Sequence, residues 1–382
     1  MSKAMEHIRY LVDVVGYRDP TSEGERWASK YIQGVMDKAG LENQVETFRS
    51  PRTFGYAYMF IFGVSVLGGL LACSCGFTAF VLTVLAAVLL YGENTCRGWV
   101  SRILPREESQ NVVGRIPPRG EERRKVVLSA HYDTSRSGLL FHPRVVGRFR
   151  TLSMLTFLAV FGLPVFIVLG GLFWSCLFGF LRGVAALWLV VMWGLLLHRE
   201  VYGMNLYGAN DNASGVGVAL SLAGKLAAKP LQNTEVWVAA TGSEEAGLTG
   251  MTAFLARHRN ELEDALIVNL DHVGVGQIKY VTGEGMIKAL PSDPELLMLS
   301  AEVVRENPDL SPVPHEYRTC PSDAYAALVR GYRAMSIVAL DEDGVVPNWH
   351  WETDRIENLE ERNLEDVERF VEILLEKIDS ER

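Results

Sequence analysis

The chain has 382 residues, 48% of them hydrophobic and 22% charged, with a formal net charge of −9 and an isoelectric point near 5.5. An acidic balance with no basic patch excludes a protein built to neutralise nucleic-acid phosphates. The mean hydropathy is nevertheless positive, so the apolar residues must be concentrated in particular segments.

Taken in chain order, Met5, Ile8, Leu11, Val12 and Val15 recur at helical spacing. They predict an amphipathic helix over about residues 5–16 rather than the apolar core of a signal peptide. A second helix is predicted over about 22–39, capped by Thr21 or Ser22 and stopped at Gly40. From Tyr56 to Tyr91 no residue is charged. That length allows two short membrane crossings of about 17–20 residues each, with Cys73-Ser74-Cys75-Gly76 as the turn. Strand-like runs follow at 111–116 and 125–130. A second apolar stretch covers about 152–197, with Arg182 as its only charge. Arg182 and Gly183 are read as the tip of this second hairpin and Pro164 as a kink in its first arm. Beyond it, strand-like runs at 234–241, 265–270 and 335–340 alternate with helical patterns at 213–228, 247–259, 294–306, 322–330 and 361–378.

Short apolar strands separated by helices imply an α/β fold, a mostly parallel sheet with helices on both faces. The expected organisation is a catalytic domain assembled from residues 1–55, 107–135 and 200–382. Transmembrane hairpins are inserted at 56–92 and 151–198, giving about four membrane helices. Arg49, Arg52, Arg97, Arg102, Arg106, Arg144, Arg148, Arg150 and Arg199 flank the hairpin ends, and only Arg182 sits at a tip. The positive-inside rule then predicts an integral protein of the cell membrane whose catalytic domain is cytoplasmic. The Asn212-Ala213-Ser214 sequon agrees, since a lumenal enzyme would risk glycosylation there. The five cysteines form no CxxC pair and suggest neither a disulfide framework nor a zinc knuckle.

The chemistry-bearing residues stand just after the predicted strands, where open α/β sheets bind their ligands. The run at 125–130 leads to His131 and Asp133. The run at 234–241 leads to Glu244 and Glu245, and that at 265–270 to Asp271. The run at 335–340 leads through a loop to His350 and Asp354. Asp211 stands at the start of a further helix. His131, Asp211, Glu245, Asp271 and His350 make two imidazoles and three carboxylates, a set suited to a pair of borderline divalent ions such as zinc. Each ion would take one histidine and one terminal carboxylate, with a third carboxylate bridging. Glu244 and Glu245 can point to different places, so one of them can bind metal while the other handles the water.

The wording around these residues is more specific. His-Tyr-Asp-Thr (131–134), GANDNASGVGVAL (208–220), TGSEEAGLTGM (241–251), NLDHVGVG (269–276) and WHWETDRIENL (349–359) resemble, in order and spacing, the zinc-dependent aminopeptidase family that includes the vibrio and streptomyces aminopeptidases and the glutamate carboxypeptidase relatives. The resemblance implies two Zn2+ ions, with His131 and Glu245 on one, Asp271 and His350 on the other, and Asp211 bridging. It implies Glu244 as general base, Asp133 as the carboxylate that orients His131, and Asp354 in a similar part for His350. Ser322-Asp323-Ala324 departs from the family's usual Ser-Asp-His, and Gly331-Tyr332-Arg333 replaces its usual Gly-Ile-Pro turn.

The expected function is hydrolysis of peptide bonds beside a free N-terminus, with a peptide or lipidated peptide as substrate. The insertion of the second hairpin between His131 and Asp211 makes the bilayer a second expected partner. Its linkers, about 135–150 and 199–210, are short enough to put the metal rim on the order of a few tens of ångströms from the membrane. Three rival readings are an amidohydrolase acting on acyl-amides, a glutaminyl cyclase, and an inactive membrane scaffold. Gly215, Gly217, Gly274 and Gly276 are read as packing glycines, and His272, His315 and His142 as ordinary polar residues. Tyr317 and Tyr325 are candidate oxyanion donors.

Overall fold

A computed structural model describes residues 1–173 and 175–381. The elements in chain order are α1 (Lys3–Arg9), α2 (Glu23–Lys38), β1 (Glu42–Ser50), α3 (Gly55–Leu71), α4 (Gly76–Asn94), β2 (Glu107–Ile116), β3 (Arg124–His131), α5 (Phe149–Phe173), α6 (Cys176–Tyr202), α7 (Ser214–Ala228), β4 (Thr234–Thr241), α8 (Thr249–Arg257), β5 (Leu266–Asp271), β6 (Gln277–Glu284), β7 (Leu290–Pro291), α9 (Pro294–Glu306), β8 (Val313–Tyr317), α10 (Asp323–Leu328), β9 (Arg333–Leu340) and α11 (Glu361–Ser380). They divide into two compact units. One comprises Met1–Arg52, Glu107–Arg136 and Asn205–Arg382, and the other Thr53–Arg106 and Ser137–Met204.

The larger unit is built on one sheet of order β1-β2-β4-β3-β5-β9-β6-β7, with β8 paired to β6. The central strands β4, β3, β5 and β9 run parallel, while β1, β2 and β6 are antiparallel additions at either side. The parallel strands are buried along almost their whole length, as their unbroken apolar runs require. The sheet is therefore mixed at its edges and parallel where it carries the site. Helices cover it on both sides, and α11 lays Leu364, Val367, Phe370, Val371, Leu374 and Ile378 into the core at helical spacing. The first helix is shorter than its periodicity predicted. It passes at Tyr10 into wider, π-type turns that end at Gly16. Ser22 rather than Thr21 caps α2, accepting from the Glu25 amide at 3.2 Å.

All four packing glycines meet backbone or core side chains at once, Gly276 because a Cβ there would lie 2.7 Å from the Leu340 carbonyl oxygen. A Cβ on Gly215 would lie 2.4 Å from the Leu270 carbonyl oxygen. One on Gly217 would lie 2.7 Å from the Ala4 carbonyl oxygen, and one on Gly274 2.7 Å from Leu359 Cδ2.

The smaller unit is a bundle of α3, α4, α5 and α6. Its interior is small and mostly apolar, with Ile61, Gly68, Ala79, Ala86, Val160, Leu163, Leu189 and Met192 buried beside the hydroxyls of Ser65 and Thr83. Gly68 lets α3 and α4 touch, since a Cβ there would meet Thr83 Cγ2 at 2.7 Å. Thr83 returns its hydroxyl to the Ala79 carbonyl at 2.9 Å, and Trp188 donates Nε1–H to Thr156 Oγ1 at 3.0 Å. The outside is apolar too: Phe77, Leu70, Leu158, Leu172 and Leu187 are all at least 65% exposed, the reverse of a soluble bundle. Among the described residues, Gly76–Asn94, Val146–Phe173 and Cys176–Tyr202 are long and apolar enough to cross a membrane, and α3 is a shorter apolar helix.

One expectation for this unit is corrected. Arg182 and Gly183 are not a hairpin tip. Both lie inside α6, where the guanidinium donates to Cys73 Sγ at 3.0 Å. The helix begins six residues earlier, where Ser175 caps it by accepting from the Leu177 amide. A single arginine is a poor breaker, because it has good helix propensity and a local partner. Pro164 sits within the described span of α5.

Candidate metal centre

The parallel core delivers the site. His131 is the last residue of β3 and pairs in register with Thr241 at the end of β4. Ser129 pairs with Asn269 two residues before Asp271, so His131 and Asp271 leave neighbouring strands at the same level. Glu244 and Glu245 follow β4 in a turn where Ser243 adopts φ +51°. Asp211 lies in the loop before α7, and His350, at φ +47°, in the loop after β9.

Two groups of buried ligand atoms result, each within 4.8 Å: His131, Asp211 and Asp271, and Asp211, Glu245 and His350. Asp211 is common to both. Its Oδ1 lies 3.2 Å from His131 Nε2, and its Oδ2 lies 3.2 Å from His350 Nε2. His131 Nε2 is 3.4 Å from Asp271 Oδ1, and His350 Nε2 is 2.8 Å from Glu245 Oε1. The pairing is the reverse of that implied by the resemblance. His131 sits with Asp271 and His350 with Glu245, because β3 and β5 are adjacent and end level.

These donors fit zinc. Ligands ~2.0–2.1 Å from a tetrahedral zinc ion are separated by ~3.3 Å, close to three of the four spacings above. Three buried carboxylates facing one another also need compensating cations. The imidazoles supply part of that charge when no metal does. Burial opposes protonation of His350, yet Glu245 and Asp211 raise it to about 9. At His131, burial is likewise outweighed by Glu244, Asp133, Asp211 and Asp271. Burial would raise Asp271, but His272 and His131 hold it down at about 2.

The surrounding carboxylates hold backbone. Asp133 accepts the Glu244 amide on Oδ1 and the Glu245 amide on Oδ2, both at 3.0 Å, and its Oδ1 lies 3.6 Å from His131 Nδ1. Asp354 accepts the Asn210 amide at 2.6 Å and the Asp211 amide at 3.1 Å. It therefore supports Asp211 rather than His350, a second correction, because the loop after β9 passes over the start of the Asp211 loop. Burial, together with Glu245, Asp271 and Asp323, pushes the Glu244 carboxyl well above the usual range.

Sequence reasoning missed three contributors. Glu25, buried on α2, accepts the Ser243 amide and hydroxyl at 2.9 and 3.0 Å and so holds the Glu244–Glu245 turn from below. His272, read as an ordinary polar residue, is buried with Nδ1 2.9 Å from Asp271 Oδ1. Arg18 is buried against the loop that carries Asp211. Only His272 had a signal, its place beside a strand-end Asp. Tyr317 is buried with its hydroxyl 3.0 Å from Cys320 Sγ.

Residues 196–374 match the model of Peptidase family M28. With the two ligand groups, the match defines the class: a zinc-dependent hydrolase of the metallopeptidase kind. It spans Asp211, Glu245, Asp271 and His350. More particularly, the chain resembles the zinc aminopeptidases in fold. BSAP, a zinc aminopeptidase from Bacillus subtilis, superposes with a TM-score of 0.59 at 15% identity, covering 98% of this chain and 94% of that one. LapB from Legionella pneumophila gives 0.58 at 14%, covering 99% and 72%. A glutaminyl cyclase from Bacteroides thetaiotaomicron gives 0.60 at 13%, covering 100% and 97%. The search of curated proteins returned no match.

Proposed function

We propose that the chain is a membrane-embedded two-zinc aminopeptidase, acting on peptides with a free N-terminus. The observation that carries this reading is Asp211, whose two oxygens are divided between His131 and His350. Two zinc ions held by His131, Asp211, Asp271, Glu245 and His350 would polarise the scissile carbonyl and lower the pKa of a shared water. Glu244 is the general base in this reading. It stands beside Glu245 in the turn fixed by Asp133 and Glu25, and its raised pKa suits a group that takes the water's proton and returns it to the leaving amine. Asp133 and Asp354 keep the ligand loops in place through backbone amides.

Glu244→Gln should keep both metals and lose about 10²–10⁴-fold in turnover. Asp211→Asn should lose metal, measured by elemental analysis. Full activity in Glu244→Gln protein sinks the assignment. Comparing peptides with free and acetylated N-termini separates an aminopeptidase from an acyl-amide hydrolase. A product that has lost ammonia from an N-terminal glutamine would identify a cyclase.

For the smaller unit, the exposed apolar bundle supports a place in the bilayer. The arginines flanking both hairpins support a cytoplasmic catalytic unit. Lipidated peptides or membrane-protein termini follow as a substrate class.

A further inference from the structure

Arg18 has no place in the chemistry just described, yet its side chain is fully buried. Its guanidinium donates to five carbonyl oxygens: Nε to Tyr132 at 2.7 Å, Nη1 to Leu11, Gly16 and Tyr207 at 3.1, 2.8 and 2.9 Å, and Nη2 to Gly208 at 3.0 Å. Its backbone is fastened as well. The Arg18 amide donates to Thr134 Oγ1 at 3.0 Å, and the Thr134 amide returns a bond to the Arg18 carbonyl at 3.1 Å. Tyr132 follows His131 directly, and Gly208 stands three residues before Asp211.

These two limbs are the ones interrupted by the second hairpin. The larger unit leaves at Arg136 and resumes at Asn205, with Ser137–Met204 spliced between. A limb pair closed by a long insertion gains little entropic restraint from the loop itself. Within the larger unit the limbs are tied by the Arg136–Asn205 bridge, the Leu206 amide on the Ser135 carbonyl, and Arg18. Of these, only Arg18 reaches Tyr132 and Gly208, next to the ligands. The planar fork suits the task, since its donors are rigidly spaced and a lysine's are not. Its positive charge also lies near the carboxylates of Asp354, Asp133, Asp19 and Asp211.

We propose that Arg18 is the positioning residue of the metal pair: it fixes the spacing of His131 and Asp211 by clamping the two chain limbs that the membrane hairpin separates. The proposal rests on the two-zinc reading. It places the larger effect of losing Arg18 on the ion held by His131, Asp211 and Asp271. The ion held by Glu245 and His350 is affected less, through Asp211.

The test uses the full-length protein in detergent, with Arg18→Met and Arg18→Lys. Metal-free protein is titrated with zinc against a competing chelator, and in parallel with cobalt, whose visible absorption reports coordination. The expected result is that one of two zinc equivalents weakens by at least tenfold in Arg18→Met, with a changed cobalt spectrum. Arg18→Lys, which keeps the charge and loses the fork, should remain folded and show the same selective loss to a smaller degree. If Arg18→Met does not fold, the lysine variant decides alone. Both equivalents within twofold of wild type, with an unchanged cobalt spectrum, overturn the clamp even if the melting temperature falls. Failure of the two-zinc reading shows instead in the wild-type protein, which would take up fewer than two zinc equivalents, so the two failures are told apart.

Discussion

Asp133 uses both carboxylate oxygens on the amides of Glu244 and Glu245, so its role is to hold a turn as much as a histidine. Asp133→Asn replaces one acceptor oxygen by a donor facing an N–H. It should lower zinc affinity or turnover about 10–100-fold, measured by chelator competition and steady-state rates. Away from the site, His258 bridges Glu46 at 2.6 Å and Glu261 at 2.8 Å. Burial would lower the His258 pKa, but the two carboxylates raise it, and the His258 hydrogen bond lowers that of Glu261. The raised histidine stabilises the fold fully below its unfolded value near 6.5, and that contribution is lost as the pH rises through the folded value. The depressed Glu261 stabilises above about 4.5 and is lost as the pH falls through its folded value. His258→Gln should therefore cost most near pH 5–6 and least at alkaline pH. The difference should be on the order of 1 kcal/mol or less, since Glu261 is partly exposed, and melting curves across pH would check it.

At the scale of the element, the glycine between Ser214 and Val216 shows how closely α7 approaches β5. Gly215→Ala forces a methyl onto the Leu270 carbonyl and the Asn212 side chain. It should destabilise by about 1–3 kcal/mol, read by denaturant melts. The five strands read from unbroken apolar runs were legible because a strand buried on both faces has nothing to alternate. The missed strands were not. β1 runs Glu-Asn-Gln-Val-Glu-Thr-Phe-Arg-Ser, a polar edge with little apolar pattern, and β6 begins on an exposed Gln277. Of the proposed ligands, His131 and Asp271 close strands and Glu245 follows one within four residues, which is a sequence-local position, whereas Asp211 and His350 lie in loops and were read from the wording around them. Their pairing was not legible, because it depends on which strands are neighbours. Arg18 and Glu25 were opaque for another reason. Each acts on segments more than a hundred residues away, through backbone groups that carry no residue signature.

At the scale of the molecule, two units of opposite surface character share one chain. The larger buries its apolar residues, and the smaller displays them. The proposed membrane location predicts that the protein stays with the lipid fraction at alkaline carbonate and is released only by detergent. Release by carbonate alone would refute it. Reconstitution in vesicles should raise turnover of acylated peptides relative to soluble ones if the substrate class is membrane-bound. Equal ratios in vesicles and in detergent would remove that part of the proposal.

The bundle's four arms are unequal. At 1.5 Å per residue, the 17 residues of α3 reach ~26 Å while the 27 of α6 reach ~40 Å. A hydrocarbon layer of ~30 Å is too thick for the first, while the apolar part of the second, which ends before His198, Arg199 and Glu200, nearly matches it. In the proposed membrane location, lipid around α3 would thin, at a cost of fractions of a kcal/mol per ångström. The protein would then sense acyl-chain length. Its apolar unit would be most comfortable in thin bilayers, and its residence among membranes would follow their thickness.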